Sequence, residues 1–376
     1  MNVAFFSNQF AAAQQHGVAR YAKELLDALH NAGESGVVPV AGWSSKPSKE
    51  LSDLKAASGL KLTGLGRQGT SLAWTFLGFP TIERCLGSHV DVVHAVSLGY
   101  PIATRKPYVV TVHDLGPLTH PEYFRNTRPW VMERSLKQAV HKAAAIVCVS
   151  ESTAQEVRDY AGCQVEDRLH VVHEGVGKEF FEPTPNGTLD RFTLRKNVPF
   201  ILSAGKLSPR KNLDGLLNAF GRIIHDIPHD LVLVGGVGWD DDQFKAALAK
   251  NKLDGRVQNL GYVSDIELRA LYRAASVYVQ PSLYEGFGLP VIEAMAAGAP
   301  VIASNSTSLP EVAGSAARLS ETWNDEALAK DILEVSTSLE TQAEMRVAGT
   351  LNAKRFTWSR CAAEMADVYR HAMNVA

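Results

Sequence analysis

Short apolar runs of strand length alternate with longer stretches of helical period along almost the whole chain, the pattern of a parallel sheet covered on both faces. In the first half the runs are Val3 to Phe6, Val37 to Trp43, Val90 to Val96, Tyr108 to His113, Ile146 to Ser150 and Leu169 to His173. Together they make one full doubly wound sheet. Between the first two, Val18, Tyr21, Leu25 and Leu29 recur at helical spacing after Gly17, which sets that glycine at a strand-to-helix turn. Free backbone N–H groups at such a turn can hold an anion.

The segment EPTPNGTLDR, residues 182 to 191, breaks the pattern with two prolines, an Asn-Gly pair and no apolar period, and reads as a linker. Beyond it the alternation restarts. Phe200 to Ala204, Leu231 to Val234, Val257 to Leu260, Val277 to Gln280 and Val301 to Ala303 predict a second sheet, with a capping box, Ser264-x-x-Glu267, opening one of the helices between. The final FTWSRCAAEMADVYRHA predicts a helix with no strand after it, expected to cross back onto the first domain. The expected fold class is α/β: two facing Rossmann-like doubly wound parallel-sheet domains, residues 1–182 and 187–356, the first completed by the helix 357–376. A cleft at the carboxyl ends of the strands would be the ligand site.

Composition narrows the class of function. A length of 376 residues suits two domains, and 45% apolar with 21% charged residues excludes disorder and coiled coil. The net charge of -2 gives no reason to bind nucleic acid. Cys85, Cys148, Cys163 and Cys361 form no CxxC pair, so reduced thiols in the cytoplasm are the reading, with no zinc site. MNVAFFSNQF reads as a first buried strand and not as a signal peptide. No run of about 18 apolar residues predicts a membrane span, so the Asn-x-Ser/Thr matches at Asn186 and Asn305 carry no glycosylation meaning.

Two motifs look like decoys. Gly64, Gly66 and Gly69 satisfy GxGxxG, but SGLKLT before them is no clear buried strand and no apolar-periodic helix follows at once, so a flexible loop is expected. Asp240, Asp241 and Asp242 match the DxD of metal-dependent sugar transferases, yet they open a helical segment, where capping and dipole complementation account for them.

The informative stretch is PSLYEGFGLPVIEAMAAGAPVIASNSTSLPEVAG, from residue 281 onward. Pro290 fits a first helical position, so Phe287, Gly288 and Leu289 would offer backbone N–H groups to an anion. Glu285 lies on the loop before that helix and Glu293 about one turn into it, two carboxylates flanking one phosphate-binding turn. AGKLSPRKN puts Lys206 and Lys211 at the end of the second sheet's first strand, where two ammonium groups could neutralise a diphosphate without metal. TVHDLGPL puts His113 and Asp114 at a strand end of the first sheet. Each of these residues could equally be structural or solvated if met alone.

Taken together the motifs resemble the retaining glycosyltransferases of family 4, which have the GT-B fold and use nucleotide-sugar donors. The resemblance runs over nearly the whole chain: the glycine after the first strand, TVHDL, CVSESTAQEV, HEGV at 173 to 176, AGKLSPRKN, LVGG, NLGYV, the paired-glutamate segment and the tryptophan-bearing last helix. It implies that Lys206 and Lys211 hold the donor diphosphate, assisted by backbone at Phe287, Gly288 and Leu289 and by Gly17. Glu293 would bind the nucleotide ribose, Glu285 hydroxyls of the donor sugar, His113 its far edge, and backbone near Tyr262 and Val263 the base. Two departures stand out. Family members commonly have two adjacent small residues where Gln15-His16-Gly17 stands, and arginine where Lys206 stands, so Arg210 is a candidate to share the phosphate.

The resemblance further implies a metal-independent transferase with no cofactor. In such enzymes the leaving phosphate takes the acceptor proton on the same face, and Glu285 is a sugar ligand, not a base. TVHDLGPLTHPEYF and AGKLSPRKN look most like bacterial mannosyl- and related GDP-sugar transferases of lipopolysaccharide or exopolysaccharide synthesis, which favours GDP-mannose or a GDP-deoxyhexose as donor and a glycan or polyprenyl-linked acceptor. Such relatives work at the cytoplasmic face of the membrane. SLAWTFLGFP, with Trp74, Phe76 and Phe79, and separately Arg105, Lys106, Arg125, Arg128, Arg134, Lys137 and Lys142, read either as a peripheral docking surface or as core plus a solvated face. An NAD-linked oxidoreductase and a non-catalytic nucleotide-sugar binding protein are the rival readings.

Overall fold

The computed structural model describes residues 1–11, 17–43, 59–87, 89–99, 101–124, 129–206, 208–236, 241–251, 253 and 255–375. The chain forms two compact units, residues 1–175 with 358–376, and residues 176–357.

The first unit is built on β1 (Val3–Phe6), β2 (Val37–Trp43), β3 (Lys61–Gly66), β4 (Val92–Ala95), β5 (Tyr108–Val112), β6 (Ala145–Cys148) and β7 (Leu169–Val171). All pair in parallel in the order β3-β2-β1-β4-β5-β6-β7. β1, β4, β5 and β6 are buried along their whole length, as continuous apolar runs covered on both faces must be. The helix Val18–Asn31 turns Tyr21, Ala22, Leu25, Leu26 and Leu29 inward, following the period in its sequence.

His94 is a buried polar residue inside this core. Its Nδ1 lies 2.8 Å from the Tyr369 hydroxyl on the last helix, Trp358–Asn374, and its Nε2 lies 2.8 Å from Thr111 Oγ1 on β5. One ring thus ties the end of the chain to the middle of the sheet. Burial, and then the charge of His113, bring the His94 pKa down to about 3, so the ring is neutral in the folded protein.

The second unit holds β8 (Phe200–Ala204), β9 (Asp230–Val234), β10 (Val257–Asn259), β11 (Val277–Gln280), β12 (Val301–Ser304) and β13 (Arg318–Ser320), parallel in the order β10-β9-β8-β11-β12-β13. Leu217, Phe220, Leu231, Leu233, Val279 and Ile332 lie at the centre of its core, each fully buried.

Three expectations need correction. Lys61–Gly66 is strand β3 and Arg67–Phe76 follows it directly as a helix, so Gly64, Gly66 and Gly69 do not form a loop. β3 is an edge strand whose burial alternates irregularly and which carries two glycines, so it lacks the apolar run that marks its neighbours. Residues 176–182 belong to the second unit: Val176 N donates to Phe356 O at 3.1 Å, and the Arg269 guanidinium donates to the Glu179 carbonyl. β13 also went unpredicted, because Arg318–Ser320 is three residues long with one apolar side chain.

Candidate active site

In the second unit β8 and β11 are neighbours although β9 and β10 lie between them in sequence. Strand order reverses there, and the chains leaving the two carboxyl ends diverge to opposite sides, which leaves a crevice at the sheet's edge. The two informative motifs leave from these two strands.

After β8 the chain passes Gly205, at φ +134°, and a short 3-10 turn, Pro209–Lys211, folds back over the strand end. A Cβ on Gly205 would stand 3.2 Å from Lys211 Cε, so glycine lets the lysine lie across the backbone. Leu283 N donates to Arg210 O at 2.8 Å and joins this turn to the loop after β11.

Glu285 on that second loop is the hub of the site. Lys211 Nζ donates to its Oε1 at 2.6 Å, Ser282 Oγ at 2.7 Å and Gln280 Nε2 at 2.8 Å, while Arg210 donates to Oε2. The carboxylate is buried, and burial alone would raise its pKa; the charges of Arg210 and Lys211 outweigh this and hold it at about 2. Lys211 is pulled below the ordinary lysine range, first by burial and then by Arg210, against the attraction of Glu285. The result is one buried carboxylate shared by two cations, with the second carboxylate, Glu293, within electrostatic reach of Lys211.

Hydroxyls fix the loop that carries Glu285. Thr307 Oγ1 accepts from Glu285 N at 3.0 Å, and Ser308 Oγ lies 3.0 Å from the Glu285 carbonyl and 2.8 Å from that of Phe287. Gly288, at φ +106°, caps the helix Leu289–Ala296, in which Pro290 is the second residue. Glu293, its fifth residue, is buried, and its charge reaches Lys211. Phe287 packs edge-on to Phe356 at 5.8 Å. Val263 is buried beside an exposed Tyr262, and Lys206 is exposed. The structure therefore brings Lys211, Glu285 and Glu293 together with Arg210, while Lys206 stands apart from the hub.

In the first unit His113 leaves the carboxyl end of β5. Its Nδ1 is 3.1 Å from Glu174 Oε1 and its Nε2 is 3.0 Å from the Val96 carbonyl, with Tyr21 edge-on at 4.6 Å. Gly17, at φ +52°, begins the helix Val18–Asn31; Gln15 and His16 lie outside the described residues. Gln280, Ser282, Thr307, Ser308 and Glu174 had no signal in the sequence beyond standing near a motif, since serines and glutamines mark no particular site. Asp241 and Asp242 open the helix Asp241–Lys250, and Asp240 lies outside the described residues.

Two parallel doubly wound sheets, the second with a cationic hub at its switch point, define the class: the fold is that of the GT-B glycosyltransferases. At 19% identity and a TM-score of 0.78, sucrose-phosphate synthase of Thermosynechococcus elongatus is similar in structure over 100% of both chains. HepE of Anabaena, solved with UDP and glucose, is similar at 17% identity and a TM-score of 0.74 over 98% of each chain. Residues 16–180 match the model described as Glycosyltransferase Family 4, and residues 188–351 the model described as Glycosyl transferases group 1. O-antigen chain mannosyltransferase B of Escherichia coli is 31% identical over 369 residues, 94% of this chain and 96% of that protein. The chain belongs to glycosyltransferase family 4. Among the described residues no helix is long and apolar enough to cross a membrane.

Proposed function

We propose that this glycosyltransferase moves mannose, or a related deoxyhexose, from a GDP-sugar to a glycan or polyprenyl-linked glycan acceptor in surface polysaccharide synthesis, with retention of the anomeric configuration. The observation that carries the reading is the hub of Arg210, Lys211 and Glu285 at the second switch point, which offers two cations to a diphosphate leaving group. The relative named for O-antigen mannosyl transfer, matched over nearly its whole length, supports mannose.

In this reading Lys211 and Arg210 carry the diphosphate, with Lys206 at its outer side and the backbone of Phe287, Gly288 and Leu289 beneath it. Glu293 takes the ribose, backbone at Val263 the base, and Glu285 both steadies the cations and receives sugar hydroxyls. The acceptor oxygen bonds to the anomeric carbon as the bond to the phosphate oxygen breaks, and the acceptor proton passes to that phosphate oxygen on the same face. No side chain forms a covalent intermediate, and no metal or cofactor takes part. The reaction runs at the cytoplasmic face of the membrane.

The oxidoreductase alternative loses its footing because two of the GxGxxG glycines lie within β3 at the sheet's edge and the third in the helix after it, whereas a dinucleotide fingerprint follows the first strand at the switch point. Transfer assays with GDP-mannose, GDP-rhamnose and UDP-glucose test the donor, and the anomeric configuration of the product tests retention. A preference for UDP-glucose would overturn the donor. Activity lost in EDTA and restored by magnesium or manganese would overturn metal independence, for which Asp240→Asn with Asp242→Asn should retain most activity.

A further inference from the structure

The helix Arg67–Phe76 and the turn after it divide their large side chains between two sides. Trp74 is buried against Phe6 with ring centroids 5.1 Å apart, and its Nε1 donates to the Pro80 carbonyl at 2.6 Å. That bond closes the turn on the protein. Trp74 is thereby removed from any docking surface, and the residues around it face outward. Leu72 and Phe76, one helical turn apart, are 57% and 60% exposed, and Leu77 and Phe79 on the turn are 77% and 51% exposed. Trp130, from the helix Pro129–Lys142, is half exposed and lies tilted beside Phe76 with centroids 6.3 Å apart.

Five large apolar side chains from two helices and a turn are far more than the scattered exposure of an ordinary surface. Two guanidiniums sit among them: Arg134 lies over the Phe76 ring at 5.8 Å, and Arg84 over the Phe79 ring at 5.2 Å. Among the described residues neither forms an ion pair with a carboxylate. Glu133, the acidic neighbour on the Trp130 helix, is already paired with Lys137 at 2.7 Å.

We infer that this face docks on an anionic lipid surface, its rings entering the headgroup layer while Arg84 and Arg134 meet lipid phosphates. The charges decide between occupants. In a twofold contact with a second copy each guanidinium would be drawn into an apolar interface that offers it no carboxylate, and like charges would lie close together. A leaflet supplies both missing parts at once, an apolar layer for the rings and phosphate for the arginines. Aromatic side chains with a cation laid over them suit that boundary, where one end is dry and the other wet. The inference does not rest on the donor or acceptor proposed above.

Co-sedimentation of the full chain with vesicles of equal parts phosphatidylcholine and phosphatidylglycerol, against phosphatidylcholine alone, is the test. The chain should pellet with the mixed vesicles at low salt, less at physiological salt, and little with the neutral ones. Arg84→Gln with Arg134→Gln should weaken binding on the order of tenfold, and Phe76→Ser with Phe79→Ser should do the same, both with an unchanged thermal midpoint since all four side chains are exposed. The inference fails if the chain stays in the supernatant with mixed vesicles at low salt, or if neither pair of substitutions reduces binding. It also fails if light scattering finds a dimer that the same substitutions split.

Discussion

The two switch points of this molecule share a topology and differ in chemistry. In the second unit the neighbours β8 and β11 deliver two cations and a carboxylate to one spot, and Glu285 accepts from four side chains. In the first unit the corresponding neighbours are β1 and β4, and what stands near them is a single pair: Gly17 follows β1, and His113 is bonded to Glu174 and to the carbonyl of Val96 just beyond β4. The same winding thus gathers two cations around a buried carboxylate in one unit and a single histidine–glutamate pair in the other. Architecture supplies the crevice, and loop residues supply the function.

The sharpest way to break the comparison is to remove each unit's buried polar centre. Glu285→Ala leaves Lys211 and Arg210 without their shared carboxylate, and removing one partner of a buried ion pair costs about 3–5 kcal/mol. We expect this variant to lose the most stability and essentially all transfer, measured by denaturant unfolding and turnover. His94→Phe would strand the Tyr369 hydroxyl at roughly 1–3 kcal/mol and leave Thr111 Oγ1 with its longer contact to the Tyr21 hydroxyl at 3.4 Å. It should loosen the last helix, read by hydrogen exchange over residues 358–374, while leaving nucleotide affinity intact.

Acid should separate the units in a defined order. The His94 pKa, about 3 when folded, lies below its unfolded value, so the unfolded chain binds that proton first. The first unit is unpenalised above pH ~6.5 and loses stability as pH falls from there toward 3. The Glu285 pKa of about 2 also lies below the unfolded value, but for a carboxylate the stabilisation is present above pH ~4.5 and disappears as pH falls toward 2. Hydrogen exchange between pH 7 and 4 should therefore show protection falling earlier around His94 than around Glu285. Simultaneous loss would mean that other groups govern the acid response.

Most of the frame was legible because covered parallel strands are written as apolar runs, and the paired-glutamate segment was legible because proline and glycine punctuate it. β3 was not, since an edge strand with two glycines carries neither an apolar run nor clean alternation. The partners of Glu285 were not legible either. Arg210 and Lys211 lie some 75 residues away in sequence, and only the β8-β11 pairing brings them to it. Nor could the sequence show that Trp74 faces inward while Phe76, two residues on, faces out, because the 3.6-residue period alone does not say which side is covered.

A smaller effect separates the two lysines. Lys206 is exposed and Lys211 is inside the hub, so Lys206→Ala should change donor KM only a few-fold, roughly what one solvated charge supplies. Steady-state kinetics on the two alanine variants would rank them, and equal effects would give Lys206 a share in the diphosphate equal to that of Lys211.

The central claim is that the cationic hub after β8 holds the donor's diphosphate. Titration calorimetry of GDP into the wild-type chain and into Lys211→Ala, with thermal midpoints taken in parallel, tests it most directly. Affinity should fall on the order of tenfold or more, the weight of a charged hydrogen bond, while the variant remains folded because Arg210, Gln280 and Ser282 still hold Glu285. GDP binding to a folded Lys211→Ala chain with wild-type affinity would contradict the account.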